Sequence, residues 1–129
     1  MPFFVDSSAL VKLVIAERES RALAEALAPE RLVSSVVAVV EVLRASRRAG
    51  GDVAAERAAR VLDRVELVGV SASVTERAAS LTPRELRSLD AIQLASALEV
   101  RAVVSALVAY DERLLQAAAA AELETLSPR

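Results

Sequence analysis

The sequence predicts an α/β domain: a mainly parallel central sheet of about five strands, flanked by helices on both faces as an α/β/α sandwich. Three observations predict it. Short apolar runs at Phe3–Val5, 31–34, 65–70 and 102–110 alternate with stretches of helical period. The first of these runs is apolar throughout and the last mostly so, as strands buried on both faces are. No repeat or linker interrupts the 129 residues, so one domain spanning 1–129 is expected.

Taken in order, Phe3, Phe4 and Val5 form the first strand, which stops on Asp6. Residues 8–16 read as a helix with Leu10, Leu13 and Val14 on one side, and Asp6 or Ser7 as its cap. Residues 17–28 read as a second helix, ended by Pro29. A short strand at 31–34 leads to Ser34 or Ser35 as the cap of a helix running to about Arg48. Gly50 and Gly51 break the chain, and Asp52 caps a further helix to about Arg64. A third strand at 65–70 and a short helix at 74–81 follow. Thr82 and Pro83 open a turn. Ser88 or Asp90 caps an Ala- and Leu-rich helix over 90–100. Residues 102–110 read as a buried strand, Asp111 as the cap of a final helix to about Ala121, and 122–126 as an edge strand.

Composition narrows the chemistry. Hydrophobic residues make up 54%, yet no apolar run approaches a membrane span. No signal peptide is read at the start, and a cytoplasmic protein is expected. There is no cysteine, which excludes disulfides and thiolate metal sites. There is no histidine, which excludes Ser–His and Cys–His pairs, histidine bases and histidine zinc sites. An enzyme of this composition must work with carboxylates and a hard cation. The net charge of −2 does not announce a nucleic-acid binder, although a metal cluster offsets carboxylates locally. Lys12 is the sole lysine, so arginine carries nearly all the positive charge.

Four acids stand in awkward places. Asp6 and Asp111 follow apolar strand runs, and in a parallel sheet both project at the carboxyl edge, where ligands bind. Glu41 lies among Val36, Val37, Val39, Val40 and Val42, on a helix apolar nearly all round and expected to be buried. Asp90 opens an otherwise apolar helical turn. Each has a plainer reading. Asp90 and Asp111 are ordinary caps, and Glu41 pairs with Arg44 and Arg48 along a solvated stripe. Together they point to an acidic site. Carboxylates brought close repel unless a cation holds them ionised, and oxygen ligands select Mg²⁺ or Mn²⁺ over Zn²⁺. Metal ions so held activate water and stabilise the leaving oxygen of a phosphodiester. Glu17, Glu19, Glu25, Glu56, Asp63, Glu76 and Glu112 read as solvated.

Four stretches now carry a resemblance. They are Phe4-Val5-Asp6-Ser7-Ser8-Ala9-Leu10-Val11-Lys12-Leu13, Glu41-Val42-Leu43-Arg44-Ala45, Leu86-Arg87-Ser88-Leu89-Asp90-Ala91-Ile92-Gln93-Leu94-Ala95 and Tyr110-Asp111-Glu112-Arg113-Leu114. In this order and spacing the chain resembles the PIN-domain ribonucleases, nearest to VapC-type toxins of toxin–antitoxin pairs. The resemblance covers essentially the whole chain. It implies a Mg²⁺- or Mn²⁺-dependent endoribonuclease. Asp6 and Asp90 would be the principal metal ligands, Glu41 would bind a second metal or position water, and Asp111 would be the fourth acid. Ser8 would support the first acid, and Arg44 would meet substrate phosphate or an antitoxin carboxylate.

The resemblance also implies RNA as substrate, a homodimer or a hetero-oligomer with a cognate antitoxin, and DNA contact only through that antitoxin. Two positions depart from the family pattern: Ala109 stands where a hydroxyl is common, and Gln93 where histidine is common, the latter not a metal-ligand position. Ala109 is the one feature favouring a rival reading, a catalytically weak PIN-like module that binds its antitoxin and co-represses its operon. A phosphate-transfer domain is the third reading. Its phosphatase form wants an acid two positions after Asp6, where this chain has Ser8. Its receiver form wants an acid pair at the first strand and a late lysine.

Overall fold

The computed structural model describes residues 1–129. Its sheet is wholly parallel. The strands are β1 (Phe3–Val5), β2 (Leu32–Ser35), β3 (Val65–Val68), β4 (Ala106–Val108) and β5 (Thr125–Leu126). Their spatial order is β3-β2-β1-β4-β5. The chain therefore builds outward from β1 through β2 to β3, then returns to add β4 and β5 on the other side of β1. That reversal opens a crevice at the carboxyl ends of β1 and β4, the position where open α/β sheets bind ligands.

The helices are α1 (Ser7–Lys12), α2 (Ser20–Leu27), α3 (Val37–Leu62), α4 (Ala72–Ser80), α5 (Ser88–Glu99) and α6 (Glu112–Ala120). Side chains of a strand point alternately to the two faces of the sheet, and here this splits the core in two. Val5 and Val108 face a cluster built with Leu10 of α1, Leu23 and Leu27 of α2, and Val42 and Leu62 of α3. Phe4 and Leu107 face a second cluster with Leu94 and Leu98 of α5 and Leu114 of α6. Helix α4 packs against α5.

Several elements are shorter than their sequence patterns. The run at 102–110 yields only Ala106–Val108, because its partner β1 offers three residues to pair with. Val103 is exposed. The third strand stops at Val68, and α1 stops at Lys12. Helix α2 begins at Ser20, since Glu17 and Glu19 are drawn onto the ammonium of Lys12, at 2.6 and 2.9 Å. That pairing leaves Glu19 largely covered, not solvated. The last strand is reduced to two residues because Glu122, at φ 66°, is the left-handed residue that ends α6.

Of the expected caps, that of α3 is supplied by Ser35, the second of its two candidates, and two others are absent. Ser34 Oγ crosses to Val5 O at 2.6 Å, tying β2 to β1, so only Ser35 Oγ accepts from the start of α3, from Val37 N. Asp52 accepts from Arg47 Nε rather than capping. Neither Ser88 nor Asp90 caps α5: the helix starts at Ser88 after Arg87, which makes no side-chain capping bond, and Asp90 lies in the first turn.

Helix α3 is broken where the paired glycines predict. Gly50 has φ −140° and Gly51 has φ 68° with ψ −158°, and the helical stretches on either side abut. The Gly51 conformation is one that side chains hardly adopt. Nothing lies within 4 Å of a Cβ built at Gly51, so strain there is purely backbone. Gly51→Ala should cost about 1–3 kcal/mol. Gly69→Ala, in open space and without a positive φ, should stay within about 0.5 kcal/mol. Urea unfolding midpoints of the two variants check this; equal midpoints would show that Gly51 is not under conformational constraint.

Candidate active site

The first acid is placed by β1. Asp6 directly follows the strand, and its N–H donates to Val108 O at 3.1 Å, locking it to the neighbouring end of β4. Its carboxylate then does two jobs. Oδ1 accepts from Ala9 N at 2.9 Å and so caps α1. Ser8 Oγ lies 2.8 Å from Oδ1 and 2.9 Å from Oδ2. The cap reading and the site reading of Asp6 therefore coincide. At 4% exposure this is a nearly dry carboxylate.

Asp111 follows β4 and caps α6, its Oδ1 accepting from Leu114 N at 3.0 Å, and it is exposed. Asp90 stands half-buried in the first turn of α5. Glu41 is half-buried, not buried, on the second turn of α3. The reason lies in its neighbours: Ala38 and Val42 are fully buried and Val39 and Leu43 pack at the core's edge, while Val36 and Val40 are exposed, Val40 by 60%. The ion pair with Arg44 or Arg48 is not formed. Glu41 Oε1 is bound instead by Ser7 Oγ at 2.6 Å and by Gln93 Nε2 at 3.2 Å.

All four acids line one cleft of about 450 Å³, together with Ser7, Ser8, Arg44, Arg48 and Gln93. That volume is in the range of small-ligand sites. Val40 and Leu89 supply apolar lining, and Leu89 is 45% exposed. None of the four carboxylates is in a salt bridge, although the molecule forms such pairs elsewhere. The four acids do not form a closed cage: no three acid side chains converge tightly enough to hold one ion. Like charges explain the spacing, since unscreened carboxylates repel.

The donor set still fits a hard divalent cation. Burial pushes the Asp6 carboxyl up to about 7, against the Ala9 N–H and the Ser8 hydroxyl, with the charges of Asp90 and Glu41 raising it further. Asp90 is raised by burial and by the charges of Asp111 and Glu41, with Arg87 opposing. A group of oxygen donors that resists holding its own negative charge is one that a cation relieves.

Ala109 does not belong to the cleft. It is fully buried in the apolar cluster beneath α5 and α6, so a hydroxyl there would face the core. Ser7 and Gln93 are cleft residues that the motif reading did not assign. The signal for Gln93 was its position three residues after Asp90, on the same helical face, as the one amide in an apolar stretch.

Comparison with known proteins bears on the family and the fold. The pattern of the PIN domain matches residues 3–120. The chain is 35% identical over 130 residues to ribonuclease VapC47 and 38% identical over 126 residues to ribonuclease VapC46, both of Mycobacterium tuberculosis. Each alignment covers 97% of this chain and 96% of the relative. Among solved structures, M. tuberculosis VapC20, a sarcin–ricin-loop-cleaving toxin, superposes with a TM-score of 0.77 at 22% identity, covering 98% of this chain and 99% of that one. VapBC2 of Rickettsia felis, solved on a DNA fragment from its promoter, gives 0.74 at 14% identity with full coverage of both chains. These structural likenesses are of fold. With the matched pattern and the two sequence relatives, they establish that the chain belongs to the PIN domain family, among the VapC ribonucleases.

Proposed function

We propose that the protein is a divalent-cation-dependent endoribonuclease and the toxin half of a toxin–antitoxin pair. The observation that carries this reading is the set of four carboxylates, none of them salt-bridged, gathered in one cleft at the carboxyl edge of β1 and β4. Two further facts support it: relatives at 35–38% identity are named ribonucleases, and similar folds have been solved as toxin–antitoxin complexes.

Asp6 and Asp90 would hold the cation, with Glu41 and Asp111 completing the oxygen set. Mg²⁺ or Mn²⁺ bound there supplies positive charge against the phosphate and lowers the pKa of water. The protein supplies the rest. Ser8 and the Ala9 N–H hold the Asp6 carboxylate in one orientation. Arg44 and Arg48 stand on the α3 wall, where a guanidinium can grip a phosphate with two N–H groups. Glu41 Oε2 has no protein partner and is available either as a cation ligand or to position the attacking water and accept its proton. Water adds to phosphorus in line, the 3′-oxygen departs and takes up a proton, and the products are a 5′-phosphate and a 3′-hydroxyl. An antitoxin segment would occupy the same cleft. The exposed apolar side chains of Val40 and Leu89, beside Arg44, give it both apolar and charge-matched contacts.

Purified protein should cut single-stranded RNA into defined fragments with Mg²⁺ or Mn²⁺ and not with EDTA. Asp6→Asn and Asp90→Asn should each lower the rate about 100-fold or more, equivalent to about 2.7 kcal/mol in the barrier. Intact RNA under every metal, from a folded protein, would sink the proposal.

Burial of Asp6 also makes a pH prediction. Between the ordinary 3.8 and about 7, the folded protein holds a proton that the unfolded chain has lost. Without a cation, stability must therefore fall as pH rises through that window. Melting temperatures in EDTA should decline from pH 5 to pH 8, and Asp6→Asn should flatten the decline. Added Mn²⁺ should raise the melting temperature most at pH 8, where Asp6 has released its proton. A wild-type profile that is level in EDTA would refute the assignment of a strained acid to Asp6.

A further inference from the structure

We infer that Gln93 is the positioning residue of the site: its carboxamide NH₂, working with the Ser7 hydroxyl, holds one oxygen of Glu41 and leaves the other free for reaction. The inference rests on the nuclease reading above. It starts from a buried polar side chain that packing does not explain. Gln93 is 1% exposed, in the midst of the apolar residues of α5. Its Nε2 lies within hydrogen-bond distance of Ser7 Oγ and 3.2 Å from Glu41 Oε1, and Ser7 Oγ lies 2.6 Å from the same Oε1.

The hydrogens can be assigned by counting. An amide has two N–H groups, a hydroxyl has one hydrogen, and an ionised carboxylate only accepts. Gln93 therefore donates once to Ser7 and once to Glu41, and Ser7 passes its own hydrogen to Glu41. Turning the amide over would set its carbonyl oxygen against the carboxylate, so the network itself selects the orientation. Both donors arrive at Oε1. No protein group reaches Oε2.

This arrangement leaves Gln93 Oε1 buried without a partner. A buried carbonyl oxygen so orphaned is unfavourable, and an apolar side chain would fill the space without it. What the glutamine provides and an apolar residue would not is the pair of N–H groups aimed across the cleft floor. The network also joins residues far apart in the chain: Ser7 on α1, Glu41 on α3 and Gln93 on α5. Helix packing that shifts Gln93 would shift Glu41 with it.

The test compares wild type with Gln93→Met, Gln93→His, Ser7→Ala, the Ser7→Ala/Gln93→Met double variant, Glu41→Gln and Asp6→Asn. Three readouts are taken: melting temperature, Mn²⁺ affinity by calorimetry, and kcat and KM on one RNA oligonucleotide. Methionine keeps the length and loses the donors, whereas the histidine ring restores an N–H at similar reach. Gln93→Met should melt within a few degrees of wild type and lose about 10–100-fold in kcat, the usual effect of removing a group that orients a ligand. Its KM should stay within about twofold, its Mn²⁺ affinity should fall toward that of Glu41→Gln, and Gln93→His should recover most of kcat. The double variant should be no worse than the weaker single one, because the two donors act as one relay.

A full kcat in Gln93→Met would overturn the inference. So would a loss that tracks melting temperature and is not recovered by histidine. Should Gln93→Met fail to fold, Ser7→Ala must show the same kcat-selective loss, and unchanged kcat there would be equally fatal. Wild type that binds Mn²⁺ but leaves RNA intact would refute the nuclease reading instead. The positioning role would then stand or fall on whether Gln93→Met weakens Mn²⁺ binding as Glu41→Gln does.

Discussion

Everything in this molecule depends on keeping one carboxylate dry at the end of the central strand. Burying an isolated carboxylate is strongly unfavourable unless hydrogen bonds replace its water. Asp6 meets that requirement within four residues of chain, through the Ala9 N–H and the Ser8 hydroxyl, while its own N–H is bonded to Val108 O. The same contacts end β1, begin α1 and fasten β1 to β4. A residue that lines the cleft is thus also the joint between sheet and helix. The hydrogen bonds only partly offset the burial, which is why the Asp6 carboxyl still holds its proton up to about 7.

Ion pairing is allocated so that it leaves the four cleft acids unpaired. The sole lysine, Lys12, is taken up by Glu17 and Glu19, and its ammonium also stands 4.9 Å from the centre of the Tyr110 ring. Arg31, Arg47 and Arg77 are paired with Glu66, Asp52 and Glu99 away from the cleft. Arg44 and Arg48 line the cleft without closing onto Glu41. A salt bridge there would have tied up both a guanidinium and a carboxylate oxygen of the cleft. An acidic protein can still handle a nucleic acid when its negative charge sits where a cation will bind and its arginines sit beside it.

The second layer around the acids is built from elements that meet only in the folded chain. Ser34 Oγ reaches Val5 O across the sheet, and Gln93 and Ser7 reach Glu41 across the cleft. Tyr110 OH donates to Pro128 O, and Ser127 Oγ to Ala109 O, so the last residues strap down the chain just before Asp111. Ala109 is part of this internal packing, which removes it from any direct role toward substrate.

The sequence by itself determined the fold class and the candidate acids. Apolar runs alternating with helical periods are local patterns, and Asp6, Glu41, Asp90 and Asp111 were legible because each interrupts such a pattern. The tertiary structure decided the strand lengths, since a strand extends only as far as its neighbour pairs with it, and β1 offers three residues. It decided that Glu41 is half-exposed and free of Arg44, because two of the valines around it found no surface to cover. It decided, finally, that Gln93, discounted in the sequence, touches Glu41, and that the acids share a cleft without forming a cage. Those outcomes join residues 34 to 86 positions apart, and local periodicity carries no information about distance in space.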